Sequence, residues 1–341
     1  MFDQRHYVPI LKTKAGEAWA LQNLDFKVRV QMTPVLEIHR PPKKNDKPPT
    51  PMKEHIHEVC ASIKDVWGPN PFFLDTEWVN TQHGTAAALT IALEACRVRR
   101  LKAIPVVKIG HDELALNVVK SAAENDKRGY MLRLDFEDAS AQAAIRGVVD
   151  YLGLNKGDLH LLLDYRQQSM NLNEDVPKLP SLKEWMTFTA ASAAFPKTIS
   201  TLPPRTWNEV PRHDWNAWEK SVMEDDLSRK PTFSDYATRC AGPPTSGGDP
   251  RVHLRYTKDK NWLVYLDGTL QSGDAPKMRS ICRKLIAKPE YDGLGFSKGD
   301  SEINRIAHQE KETGAATQWV QWCVNHHLTY VARRIQENSD F

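Results

Sequence analysis

At 341 residues the chain exceeds the usual single domain, and 40% apolar content with ten tryptophans supports a large core. A formal charge of +3 gives no general case for nucleic-acid or anionic-membrane binding. Five scattered cysteines fit reduced thiols, and with no leader-like start and no apolar run near the ~20 residues of a membrane span, a cytoplasmic protein is expected.

Residues 8–12 read as a short buried strand ending in Lys12, followed by an amphipathic stretch at 16–25. Strand 35–39 ends in His39. The proline- and lysine-rich run 41–51 after it cannot propagate a helix and reads as an exposed loop over one end of the fold. Helix 53–67 leads to strand 72–77, which carries Asp75 and Glu77. Helix 85–100 leads to strand 104–108, ending in Lys108. Helix 112–125, with Asp112 as cap, precedes strand 131–137. Helix 140–152, with Ser140 as cap, precedes strand 160–166. An Ala-rich helix is expected at 182–194, a weak strand at 197–200, a helix at 215–227 and a strand at 232–235.

Strand and helix alternating in this way, with charged groups at the strand ends, is the pattern of a (β/α)8 TIM-like barrel. The Gly/Pro-rich run 242–250 punctuates the chain. Beyond it, 252–256 and 262–266 read as a β-hairpin, with helices at 276–287 and 303–337. The expected division is a barrel over 1–241 and an α+β extension over 242–341 packed on it.

Residues two apart on a strand share a face. In strand 131–137, Leu132, Leu134 and Phe136 should meet the helices, leaving Arg133, Asp135 and Glu137 inside. The same rule gathers Lys12, Glu37, His39, Asp75, Glu77, Lys108, Asp164, Arg166 and Asp235 at the barrel mouth. Buried charges at this density demand partners. Three arrangements answer that demand. In one, Asp75, Glu77, Asp135, Glu137 and Asp164 ligate Mg²⁺ or Mn²⁺, while Lys108, Arg133 and Arg166 hold a phosphate. In another, a metal-free pocket receives a polar anionic ligand. In the last, the groups form an ion-pair lattice with no ligand. Lys108 as a Schiff-base lysine is disfavoured, because its acidic neighbours would keep it protonated. His326 and His327, adjacent on a helix, diverge by about 100° and read as packing or capping groups rather than ligands of one ion.

Several short motifs carry a family resemblance. Tyr7 to Lys12 with Gly16 and Glu17, Phe73 to Trp78, Phe233 to Ala237, and Leu254 to Thr257 with Trp262 belong to it. So do Gly299, Asp300, Ile303, Gly314, Thr317, Trp319 and His326 to Thr329. Together they resemble the phage-associated beta family protein, named for a T-even phage protein, almost end to end. The resemblance implies a phage or mobile-element setting without assigning a reaction. It singles out Lys12, Asp75, Glu77, Asp235, Arg255, Tyr256, Asp300 and His327.

The expected function is binding of a small anionic or nucleotide-like ligand at the mouth, with metal-assisted phosphoester hydrolysis as the reaction such a site would carry. Asp75, Glu77, Asp135 and Asp164 would be ligands or general base. Lys12, Glu37, Lys108, Arg133, Arg166, Asp235, Arg255 and Tyr256 would line the ligand. The alternative is a non-catalytic phage–host conflict factor that contacts a phage or host protein. Neither a membrane nor a nucleic acid is expected as a partner; the basic run at 97–100 reads as a solvated helix end.

Overall fold

The computed structural model describes residues 2–41, 50–79, 84–224, 226–243, 251–269, 275–309 and 315–337. Most of the expected 41–51 loop and 242–250 turn lies outside the described residues.

The chain begins with β1 (Ile10–Lys12), α1 (Ala15–Gln22), α2 (Phe26–Arg29), β2 (Val35–Glu37) and α3 (Met52–Trp67). Then come β3 (Pro71–Asp75), α4 (Thr85–Val98), β4 (Lys102–Val107), α5 (Glu113–Asp126), β5 (Met131–Asp135) and α6 (Gln142–Leu152). Next are β6 (His160–Asp164), α7 (Leu172–Asp175), β7 (Thr187–Ser192), β8 (Trp207–Pro211), α8 (His213–Met223) and β9 (Thr232–Asp235). The last elements are β10 (Arg251–Thr257), β11 (Asn261–Thr269), α9 (Ala275–Ile286), α10 (Lys298–His308) and α11 (Ala316–Glu337).

Eight parallel strands form one sheet in the order β1-β2-β3-β4-β5-β6-β7-β9. A parallel bridge between Tyr7 and Phe233, with Val8 N donating to Phe233 O at 3.0 Å, nearly closes the sheet into a barrel. The alternation of faces is physical. Leu132, Leu134, Leu161, Leu163 and Tyr165 pack outward under the helices. Val35, Phe73, Val106, Met131 and Leu162 fill the interior as a separate apolar cluster. A side chain one residue further along each strand changes layers, so register alone determines which charges share the interior.

The expected helix at 182–194 is corrected. It holds a 3-10 turn at Leu182–Glu184 and then β7, whose residues are all buried. Ala190 and Ala191 resemble helix formers, but here the small side chains suit a central strand covered on both faces. Residues 197–200 are not a strand, so β7 takes the place expected there. Asp112 caps α5 by accepting Ala115 N at 2.8 Å. Ser140 is no cap; it ends a 3-10 turn at Phe136–Ser140, and α6 starts after Ala141.

The hairpin β10–β11 forms, and β8 joins it as an unforeseen third strand, in the order β10-β11-β8. The helix expected at 303–337 is two, α10 and α11. Two glycines permit the packing of α11. A Cβ on Gly299 would meet the Trp322 carbonyl oxygen at 2.3 Å, and one on Gly16 would meet Val320 Cγ1 at 2.7 Å. Thus α10 approaches the backbone of α11, and α1 packs closely on its Val320 side chain. This brings the start of α11 to the rim of the barrel beside α1. No helix among the described residues is long and apolar enough to cross a membrane.

Candidate functional site

Register sets the mouth. Lys12 pairs with Glu37, Glu37 with Asp75, and Asp135 with Asp164 across adjacent strands. Arg133 rises between them, fully buried, and takes the centre. Its Nη1 donates to Glu37 Oε1 at 3.0 Å and to Asp75 Oδ2 at 2.6 Å. Its Nε and Nη2 reach Asp164 Oδ2 at 3.0 and 2.6 Å, and Nη2 also donates to the Tyr236 hydroxyl at 2.6 Å. A planar guanidinium spreads five donors over a rigid fork and so reaches acids on several strands at once, where an ammonium offers three donors from one atom.

A second tier lies above. Arg166, in the left-handed region at φ 53°, turns over the mouth. Its Nε donates to Asp135 Oδ1 at 2.7 Å, and its Nη2 to Glu77 Oε2 at 2.9 Å. Lys108 Nζ lies 2.8 Å from Glu77 Oε1. Trp78 flanks this tier, with the Arg166 guanidinium 5.8 Å from its ring and His39 stacked at 6.0 Å.

Electrostatics match the geometry. Burial would raise the Glu37 carboxyl, but the His39 hydrogen bond and Arg133 outweigh it and hold it at about 2. Asp135 is lowered although burial opposes this, through Lys108 and Arg166. Burial acts against Arg133 too, yet the surrounding acids push it well above its ordinary value.

Of the sequence candidates, Glu37, Asp75, Glu77, Lys108, Arg133, Asp135, Asp164 and Arg166 meet in this mouth. Four others do not. Glu137 sits exposed on the 3-10 turn after β5, because the strand ends at Asp135, and cannot join a metal set. Asp235 faces outward with Phe233 and accepts from Tyr7 and from His327 Nε2, the latter at 2.8 Å. Phe233 packs on Trp215 and Trp218, and that apolar contact dictates the face of Asp235. Tyr256 lies in the core of the extension, donating to Asp300 at 2.8 Å. Arg255 lies to one side, donating to the Thr238 carbonyl with its guanidinium 4.1 Å from the Phe195 ring. His326 and His327 take different acids, Asp300 and Asp235. Tyr236 escapes the sequence reading, although its parity with the inward Ser234 marks it.

Metal ligation would draw on Glu37, Asp75 and Glu77, each offering an oxygen within 4.8 Å of the others. Arg133 Nη1 already touches two of them, and Lys108 and Arg166 take the third. The chain's own cations stand where a divalent ion would.

Beside the mouth, where the ends of β1 and β2 meet α11, lies a cavity of about 570 Å³. Lys14, Arg40, Arg239, His39 and His55 line it, and Glu17 is the only carboxylate among its described lining residues. Glu17 is 2% exposed, and neither carboxylate oxygen has a hydrogen bond. Its nearest cation is Arg239, whose Nε lies 3.5 Å away. Lys12 borders this region and donates to Cys240 O at 3.3 Å. Burial lowers both Lys12 and Lys14, while burial and the charge of Arg239 push Arg255 down to about 9. Among the described lining residues, cations outnumber the anions that would balance them. None of the lining residues other than His39 was foreseen as a mouth group, because they lie on loops and helices where strand parity has no reach.

No curated protein matches the chain. One solved structure, a GH138 enzyme targeting pectin rhamnogalacturonan II, aligns at 10% identity with a TM-score of 0.35. The alignment covers 69% of this chain and 34% of that one, so the chain spans about a third of that protein. The Beta protein family pattern matches residues 7–333, nearly the whole length, and the chain therefore belongs to the Beta protein family.

Proposed function

We propose that the chain binds a small anionic ligand at the mouth of a TIM-like barrel, in a cytoplasmic, phage- or mobile-element-associated setting. The observation that carries this reading is the charge imbalance among the described lining residues of the 570 Å³ cavity, with Lys14, Arg40 and Arg239 against Glu17. A concave site with convergent cations and little compensating charge favours an anion of phosphate or nucleotide size. The inner mouth contributes a rigid wall, since His39 both lines the cavity and reaches Glu37 Oε2 at 3.4 Å.

Calorimetric titration with inorganic phosphate, pyrophosphate and a nucleoside diphosphate tests this. Arg239→Gln and Lys14→Gln should each weaken binding about tenfold, or 1.4 kcal/mol, with melting retained for the exposed Lys14. Absence of binding to all three anions at millimolar concentration would sink the reading.

Metal-assisted phosphoester hydrolysis is the second reading, favoured by the proximity of Glu37, Asp75 and Glu77 oxygens. It requires a divalent ion to displace Arg133 Nη1 and Lys108 from those oxygens. Binding without hydrolysis needs no such displacement, so it ranks first.

A further inference from the structure

We infer that the anion bound in this cavity carries a short hydrocarbon tail, which lies between α1 and α3. This rests on the anion-binding reading and specifies its ligand class. A second cavity, of about 250 Å³, runs between the two helices, with Ala18, Leu21, Leu36, Val59, Ile63 and Val66 forming its apolar walls. Thr13, Lys14, Ala15 and His55 line both cavities, so the polar space and the apolar one are neighbours that share a wall. His55 is fixed at that junction by its Nε2 contact with His39 O at 2.7 Å. Small residues keep the groove open, with Ala15 and Ala18 on α1 facing Ser62 on α3.

The two compartments ask for different chemistry in one molecule. The polar cavity supplies cations around a buried carboxylate whose oxygens have no hydrogen bond. The apolar one supplies hydrocarbon contact, with Lys12, Lys14, His55 and Glu58 as the charged or ionisable groups among its described lining residues. An alkyl or acyl chain ending in a phosphate or carboxylate satisfies both. Since an apolar cavity of ~150 Å³ holds benzene, one of about 250 Å³ takes on the order of eight to ten carbons. Each methylene buried there should tighten binding about fourfold until the groove is full.

The test is a calorimetric series on the full chain with inorganic phosphate, butyl phosphate and octyl phosphate. Octanoate and octyl glucoside serve as head-group comparisons. Affinity should rise steeply from phosphate to octyl phosphate, and octyl glucoside should bind far more weakly than octyl phosphate. Octyl phosphate and octanoate binding tightly alike would leave the head as any anion; octyl phosphate alone would make it a phosphate. Ala18→Phe fills the groove and should leave octyl phosphate no tighter than inorganic phosphate, whereas Arg239→Gln should weaken the whole series in parallel. Phosphate binding with an affinity flat across chain length overturns the tail and leaves the anion site standing. Equal binding of octyl glucoside, or an undiminished chain-length gain in Ala18→Phe, likewise overturns the tail. Failure of every anion to bind overturns both.

Discussion

The barrel mouth and the seam between barrel and extension both bury carboxylates at zero exposure, but they neutralise them differently. In the mouth, Glu37 and Asp164 share the guanidinium of Arg133. In the seam, Asp235 relies on the Tyr7 hydroxyl, the Ala237 amide and His327, whose Nδ1 in turn lies 2.9 Å from Thr257 Oγ1. Arg212 donates only its Nη1, to the Lys258 and Asp259 carbonyls, and lies buried against Trp215 and Trp262, so it reaches the seam acids through its charge and not through a hydrogen bond. One guanidinium serves three acids, while an imidazole serves one. The charge of Arg212 only partly offsets burial and Asp235, which together raise the second acid there, Asp214, to about 7.

The largest expected effect follows from removing the shared cation. Arg133→Met leaves Glu37, Asp75 and Asp164 facing one another without it, a loss of about 3–5 kcal/mol, or ~10 °C in melting temperature. Melting close to wild type would mean that the mouth is wet and its charges independent. Equilibrium denaturation with urea separates the two outcomes.

Acid should then weaken the mouth. The Glu37 carboxyl is depressed from 4.5 to about 2 in the folded chain, so its contribution is complete above pH 4.5 and fades as pH falls toward 2. That shift corresponds to about 3 kcal/mol. Glu37→Gln should remove this part of the acid limb when stability is followed from pH 6 to 2.

The seam supplies the opposite sign. Asp214 is raised from 3.8 to about 7, so its contribution is present below pH 3.8 and is lost as pH rises through 7. Asp214→Asn should therefore stabilise the protein at pH 8 by about 1–2 kcal/mol and do little at pH 4. Urea midpoints at the two pH values are the check. Destabilisation at pH 8 would show that the seam needs the charge.

Strand alternation made much of this legible. Leu132, Leu134, Leu161 and Leu163 face outward, and Arg133 and Asp164 inward, as period two demands. What escaped had physical reasons. β7 reads as a helix because Ala190 and Ala191 have no side chain large enough to reveal a strand face. Asp235 reads as a mouth residue although its face partner Phe233 is apolar, and tertiary packing on Trp215 and Trp218 decides that face. Glu137 reads as one step further along the same strand because nothing local announces the turn after Asp135. The basic cavity was invisible because Lys14, Arg40, His55 and Arg239 come from separate loops and helices brought together by the fold alone.

Thermal melting of wild type and Asp75→Asn, each with and without millimolar Mg²⁺ or Mn²⁺, tests most directly whether the mouth acids are held by the chain's own cations. The lattice predicts that Asp75→Asn melts several degrees lower and that neither ion moves the wild-type curve. An Asp75→Asn protein as stable as wild type, beside a wild type that gains stability with metal while the variant does not, would contradict it.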